Sequence, residues 1–415
     1  MACPIPSART YPLRKPPNHT LPVPRYTITL PSTTTHIHTL YVGLQTHSAN
    51  PGIAAALKQA QQQIQTWIES SDSVYETLTL LDPTNDESSN SVYETLTLLD
   101  PTNDDLPGSQ IWVCYWTNSS APPSSSHPPN LDLQRLWKTL PSSARSSIAL
   151  WKESFTNPTS RLETNYSGTE YLPGLARLPG TQVREHDLAT YWGAARDRIP
   201  DSANDLFTRP DGAREDKGVQ EEADGTGKVL SGSNSENVVH IRSGQWWANC
   251  SPPETAAYEE KLEPTLRAGL AYLNAHRAET GCMGIRYLRN SPSFSSNPSI
   301  KSDEEERKET CGAGFFHNLE DLERWSKTHS SHLKIWRGAL AHYKAFPEDR
   351  RLRTWHEVSV IKEGDARWEY VNCRAGTGLW GVWRWRGRCW RRSIRFGGEL
   401  FRGESCEGLM QYYQI

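Results

Sequence analysis

Apolar positions recur along the chain in two rhythms, and most of the chain falls into one or the other. Alternating or continuous apolar runs at 36–45 (HIHTLYVGLQ), 110–116 (QIWVCYW), 148–155, 238–242, 282–288 and 311–316 predict β-strands. The stretch 51–70 (PGIAAALKQAQQQIQTWIES), rich in Ala, Gln and Leu with Pro near its start, predicts a helix. A second helix is predicted over 253–276, where Tyr258, Leu262, Leu266, Leu270 and Leu273 follow helical spacing. The segment 319–346 is helical with a break near Ser330. Segments 352–362 and 366–373 read as a closing hairpin around the turn residues Glu363, Gly364 and Asp365.

These elements divide the chain. Residues 1–25 are proline-punctuated and read as a disordered arm. A polar, glycine-rich insertion at 207–236 separates a first half, about 26–206, from a second half at 237–378. Both halves carry a strand–helix–strand rhythm, which predicts an α+β fold of two related halves packing their sheets together. The segment SVYETLTLLDPTND occurs twice, at 73–86 and 91–104. One copy suffices for such a fold, and the other is read as a recent duplication or a gene-model error looped out on the surface.

Composition narrows the function classes. The 415 residues are 36% hydrophobic with a net charge of −3, so nothing global points to nucleic acid or a membrane. Of the eight cysteines none forms a Cys-x-x-Cys pair, which leaves a disulfide framework or cysteine zinc site without support. No apolar run has the length of a signal peptide or a membrane span, so a cytosolic (cytoplasmic) protein with reduced thiols is expected. The glycosylation-type triplets at Asn18, Asn118, Asn165 and Asn249 are then chance matches.

Candidate chemistry clusters in a few places. On a helix, Trp325, His329, His332 and Trp336 would share one face. Neutral imidazole suits haem iron, zinc or copper, and flat aromatic neighbours suit a porphyrin. Spacing alone equally allows two incidental, partly exposed histidines. Strand alternation places His356 on one face with Leu352, Thr354, Val358 and Val360, either as a satisfied core histidine or as an acid/base in a dry cavity. Glu357 points the other way. In the Arg196–Asp197–Arg198 run, one arginine is either a surface ion-pair partner or the anchor of a propionate or catalytic carboxylate. Ser243 ends a strand where a hydroxyl can face a cavity, and Glu163 is mute alone. Phosphate-loop, His-Glu-x-x-His and Gly-x-Ser-x-Gly patterns are absent. Zinc on His329, His332 and His356 lacks a well-placed further ligand.

Taken together, the segments YWGAARDRIP (191–200), NVVHIRSGQWW (237–247), EPTLRAG (263–269), TGC (280–282), LERWSKTHSSHL (322–333), WHEVSV (355–360) and YVNC (370–373) resemble the haem-containing aldoxime dehydratases, including the phenylacetaldoxime dehydratase group. The resemblance runs from Arg25 to Gly378. It implies two ferredoxin-like halves in a dimeric-α/β-barrel-type unit around one b-type haem, possible as a homodimer, with a small-molecule aldoxime as substrate. By position, His332 matches the proximal iron ligand, His356 the distal acid/base, and Ser243 the serine that bonds the oxime hydroxyl. Arg198 and Glu163 match two further distal polar residues. The implied reaction removes water from R–CH=N–OH to give a nitrile, with the oxime nitrogen on ferrous iron. Two alternatives share His332: a haem sensor or carrier without dehydration, and a haem peroxidase using a distal His/Arg pair.

The chain departs from the family pattern in three places. Ser330-Ser331 replaces the family's Pro-Thr between the histidines, which predicts a looser start to the proximal helix. NCRAGTG (372–378) stands for Asn-Cys-His-Pro-Gly-Thr-Gly. Beyond Gly378 a Trp/Arg run (379–392) opens a divergent tail, 379–415, read as a misread exon boundary or frameshift rather than a nucleic-acid patch.

Overall fold

The structure, a computed structural model, describes residues 9–15, 18–47, 51–71, 73–81, 109–117, 130–209, 225–290, 308–374, 377–379 and 386–389. Along the chain the strands are β1 (Arg25–Thr29), β2 (His36–Thr46), β3 (Val74–Leu81), β4 (Gln110–Thr117), β5 (Ile148–Pro158), β6 (Leu162–Tyr166) and β7 (Gln182–His186). They continue with β8 (Lys228–Ser233), β9 (Val238–Trp246), β10 (Cys282–Asn290), β11 (Glu309–Phe316), β12 (Arg353–Ile361), β13 (Ala366–Val371) and β14 (Arg386–Cys389). The principal helices are Ala54–Glu69, Leu133–Thr139, Glu263–Ala275, Leu319–Thr328 and Ser330–Ala345.

All described strands join one antiparallel sheet in the order β14-β8-β13-β5-β2-β4-β3-β10-β11-β9-β12-β6-β1-β7. The centre of this order is a mirror. In the first half the successive strands β2, β3, β4 and β5 lie as β5-β2-β4-β3. In the second half β9, β10, β11 and β12 lie as β12-β9-β11-β10. Each half thus runs strand–helix–strand–strand–helix–strand, and the two meet edge to edge where β3 pairs β10 through Leu80 and Leu288. Strand β3 comes from the first copy of the duplicated segment. The second copy lies outside the described residues, as does most of the tail.

Alternation along the strands builds three apolar layers. Leu40, Val42 and Leu44 of β2 pack with Ile64 and Ile68 of the helix Ala54–Glu69 on one outer side. Val239 and Ile241 of β9 and Val358 and Val360 of β12 pack with Leu270, Leu322 and Trp325 on the other. Between them, Tyr41, Trp151 and Phe155 of the first half meet Phe315 and Trp355 of the second, with Phe155 and Phe315 edge-on at 6.0 Å. The sheet therefore curls until its two halves face each other. A buried ion pair crosses this interface: Arg286 makes two 2.7 Å bonds to Glu153, which also accepts from the Tyr370 hydroxyl at 2.5 Å.

Two local expectations differ from the observed pairing. The segments 352–362 and 366–373 are not a hairpin, because β12 pairs β9 and β6 while β13 pairs β5 and β8. The tight turn is present (Gly364 has φ +78°), but it carries the chain from one half to the facing one. Within the stretch expected as a polar insertion, Lys228–Ser233 is a full strand held by β13. Part of the expected arm is placed as well: Thr10 and Tyr11 donate backbone bonds to Ala203, and the Arg14 amide bonds Asp197 at 3.0 Å. No helix among the described residues is long and apolar enough to cross a membrane. Among the described residues no disulfide joins Cys114, Cys250, Cys282, Cys311 or Cys373.

Candidate functional site

The outer layer of the second half holds what the first half's does not. In the first half the space between sheet and helices is filled by apolar side chains. In the second, a line of polar groups crosses the sheet on the helix side. Residues 239, 241, 243 on β9 and 354, 356, 358, 360 on β12 share that face, and the register sets Ser243 directly opposite His356. On the other neighbour of β12, Asn165 stands opposite His356 and Glu163 opposite Val358. The helical turn Ala195–Arg198 then brings the Arg198 guanidinium over the strands.

Glu163, Arg198 and His356 are buried and in mutual contact. Arg198 donates to both carboxylate oxygens of Glu163, Nε at 3.0 Å and Nη2 at 2.8 Å. The same Nη2 lies 2.9 Å from His356 Nε2, and Glu163 Oε1 lies 3.1 Å from that nitrogen. Arg198 is held in place by bonds to the carbonyls of Ala189 and Ala194. Burial alone would raise the Glu163 carboxyl, but the Arg198 guanidinium and the His356 ring outweigh it and hold it at about 2. His356 is lowered from its ordinary value because burial disfavours the imidazolium and Arg198 repels it, against the pull of Glu163.

One nitrogen cannot accept from Arg198 and donate to Glu163 at once. His356 Nε2 therefore has two states: a neutral ring accepting from Arg198, and a protonated ring donating to the Glu163 anion. This is the electrostatic arrangement of a group that takes and returns a proton in a dry site. Ser243, 9% exposed, has no hydrogen-bond partner for its hydroxyl among the described residues. Its neighbour Gly244 is needed where it stands, because a Cβ there would run into the Trp355 indole on the sheet's other face. Glu357 also faces that other side, accepting from the Tyr115 hydroxyl at 3.0 Å and the Leu175 amide at 2.6 Å.

Across the layer, His332 lies in the helix Ser330–Ala345, buried against the rings of Trp325 (4.9 Å) and Trp192 (5.6 Å). Its Nδ1 sits 2.8 Å from the Ser326 carbonyl, so Nδ1 carries the proton and Nε2 keeps its lone pair. Burial pushes the ring down to about 4, against the pull of that carbonyl, and keeps it neutral. A buried neutral imidazole with a fixed tautomer and flat aromatic neighbours fits the proximal ligand of a haem. Among the described residues no three His, Cys, Asp or Glu side chains gather into a group that could hold a metal ion.

The four-residue face expected around His332 is assembled differently. His329 is extended (φ −78°, ψ 134°) and splits the helix, so Trp325 and His332 approach from two helices. His329 is not a ligand candidate: it caps the second helix by accepting from the Ser331 amide at 3.2 Å and packs on Tyr272. The helix thus starts at Ser330 without the family's proline. Arg196 bonds Glu323 rather than any site group. Sequence reasoning missed Asn165 and His186, whose Nε2 lies 3.3 Å from Asn165 Oδ1 and which burial pushes down to about 4. It also missed Arg25, the register partner of His186. The alternation in RYTIT (25–29) was the available signal for β1.

Comparison with known proteins gives matches in sequence and in fold. A family model described as haem-containing dehydratase matches residues 40–379. The chain is 29% identical over 269 residues to the phenylacetaldoxime dehydratase of Bacillus sp. (strain OxB-1), covering 65% of this chain and 72% of that protein. It is 30% identical over 279 residues to the aliphatic aldoxime dehydratase of Rhodococcus globerulus, covering 65% and 71%. A crystal structure of an aldoxime dehydratase superposes with a TM-score of 0.68 at 24% identity, covering 91% of this chain and 98% of that one. A second, in complex with butyraldoxime, gives 0.65 at 23% identity, covering 91% and 96%. At that identity the two superpositions speak to the fold.

Proposed function

The chain belongs to the haem-containing dehydratase family, and from that premise we propose that it converts aldoximes, R–CH=N–OH, into nitriles and water. The observation that carries the proposal is the buried Glu163–Arg198–His356 contact on the same helix-covered sheet face as Ser243, together with a buried, neutral His332 whose Nδ1 is held by the Ser326 carbonyl and whose Nε2 keeps its lone pair.

His332 holds the haem in this reading. When bound, ferrous haem supplies an open coordination position for the oxime nitrogen and electron density towards the N–O bond. The protein's part is proton management. Hydroxide leaves poorly at neutral pH, so the oxime oxygen needs a proton as it departs. Protonated His356, its charge stabilised by the Glu163 anion, donates to that oxygen. The neutral ring left behind takes the proton from carbon, so the protons balance. A positioned acid of this kind contributes ~10²–10⁴ in rate. Ser243, one strand away, holds the oxime hydroxyl in line. Arg198 fixes the Glu163 carboxylate by two bonds and biases His356 to release its proton.

The strand orders β5-β2-β4-β3 and β12-β9-β11-β10 support two ferredoxin-like halves in a dimeric-α/β-barrel-type unit, with the cofactor in the second half only. A cytosolic location and assembly as a homodimer belong to the same reading. The presence of all four distal groups favours the enzyme over a haem carrier. The direct test is an anaerobic assay of dithionite-reduced, haem-loaded protein with phenylacetaldoxime. Phenylacetonitrile should form, and should fall by orders of magnitude in His356→Ala. Haem uptake without nitrile from any aryl or alkyl aldoxime contradicts the reading.

A further inference from the structure

Neither arginine of the pair at 196 and 198 is left over for a cofactor carboxylate, since each is committed to a glutamate. Another cation on the same sheet face is uncommitted. Arg25 of β1 is 4% exposed. Its Nη2 donates to the Tyr343 hydroxyl at 2.9 Å and its Nη1 to Thr354 Oγ1 at 3.2 Å. Its Nε is buried with no hydrogen-bond partner, and no carboxylate among the described residues pairs with it. A second guanidinium, that of Arg350, lies 4.9 Å from the Tyr343 ring centroid. Burial disfavours ionisation of Tyr343, yet Arg25 and Arg350 together draw its hydroxyl below its ordinary value, a sign of how positive this corner is. A buried guanidinium without an anion is costly, and the arrangement is that of a site completed by one.

The position of Arg25 says which anion. Thr354 precedes His356 by two residues on β12, so both face the helices. Tyr343 follows His332 by three helical turns, so both look out from the same side of the helix Ser330–Ala345. Arg25 therefore bridges the strand that carries His356 and the helix that carries His332. We propose that Arg25 is the anchor for a propionate carboxylate of the haem, with Tyr343 and Thr354 orienting its guanidinium. This rests on the reading that haem lies between His332 and His356. It also gives the chain a second hold on the cofactor, independent of iron.

Haem release to an excess of an apo-globin acceptor tests it without any assay of turnover. Haem and its dimethyl ester, which lacks both carboxylates, are loaded in parallel. The unmodified protein should lose the ester at least about tenfold faster, the scale of one charged hydrogen-bonded pair. Arg25→Met should lose haem about tenfold faster than the parent with an unchanged Soret band, and should discriminate correspondingly less against the ester. Arg25→Lys should fall between. Equal release of haem and ester by the unmodified protein, or full discrimination kept by Arg25→Met, overturns the anchor while leaving His332 as the ligand. Failure of the unmodified protein to take up haem at all removes the underlying reading and the anchor with it.

Discussion

Ser243 stands directly opposite His356 in the register of β9 and β12, on the face that packs against Leu322 and Trp325 of the helix Leu319–Thr328. The pairing sets a hydroxyl with no partner among the described residues beside an imidazole that contacts Glu163 and Arg198, and in the proposed reaction these two groups would meet the oxime oxygen from the same strand pair.

Ser243→Ala should keep the fold, the haem spectrum and the place of His356, because the hydroxyl bonds nothing in the described structure. Turnover should drop about 10- to 100-fold, the cost of losing one positioning hydrogen bond. Single-turnover kinetics on the ferrous protein would show whether the chemical step carries the loss.

The charges around His356 set its pH response. Burial and Arg198 lower its pKa and Glu163 raises it, so the protonated ring becomes scarcer as pH rises through a value below the usual 6.5. Glu163→Gln removes the raising partner. The falling limb of the pH–kcat profile should move to lower pH. Turnover at pH 7 should then fall about tenfold if the limb moves down by about one on the pH scale. An unmoved limb would separate Glu163 from the proton donor.

His240 offers a matching prediction for stability. It is buried among Tyr41, Phe155 and Phe315 between the two halves, and burial, with Arg242 and Arg286, pushes it down to about 3. The unfolded chain takes up this proton near pH 6.5 and the folded one does not. Stability is therefore full above that pH and is lost as pH falls towards 3. His240→Leu should lose about 2 kcal/mol less than the parent between pH 7 and pH 5, read from urea midpoints of the two proteins.

What could be read from sequence was set by how local the information is. Alternation along 352–360 put His356 with Val358 and Val360 and turned Glu357 away, and the structure has that arrangement. The break near Ser330 was also visible, although the extended residue is His329. Partner choice was not visible: the Glu363–Asp365 turn looks the same whether its strands pair with each other or with strands of two facing halves. Lys228–Ser233 hid among glycines and serines, because its strand conformation comes from β13 rather than from its own side chains. Arg25 and His186 were hidden for the same reason. Only the pairing of β1 with β7 and β6 brings them to the face that carries His356.

The most direct test of the account is the absorption spectrum of His332→Ala after reconstitution with excess haem and removal of unbound cofactor. The parent should show a Soret band in the ferric and dithionite-reduced states, and the variant should lose it, with partial recovery on adding imidazole. A variant that keeps the parent spectrum in both states would contradict the assignment of His332.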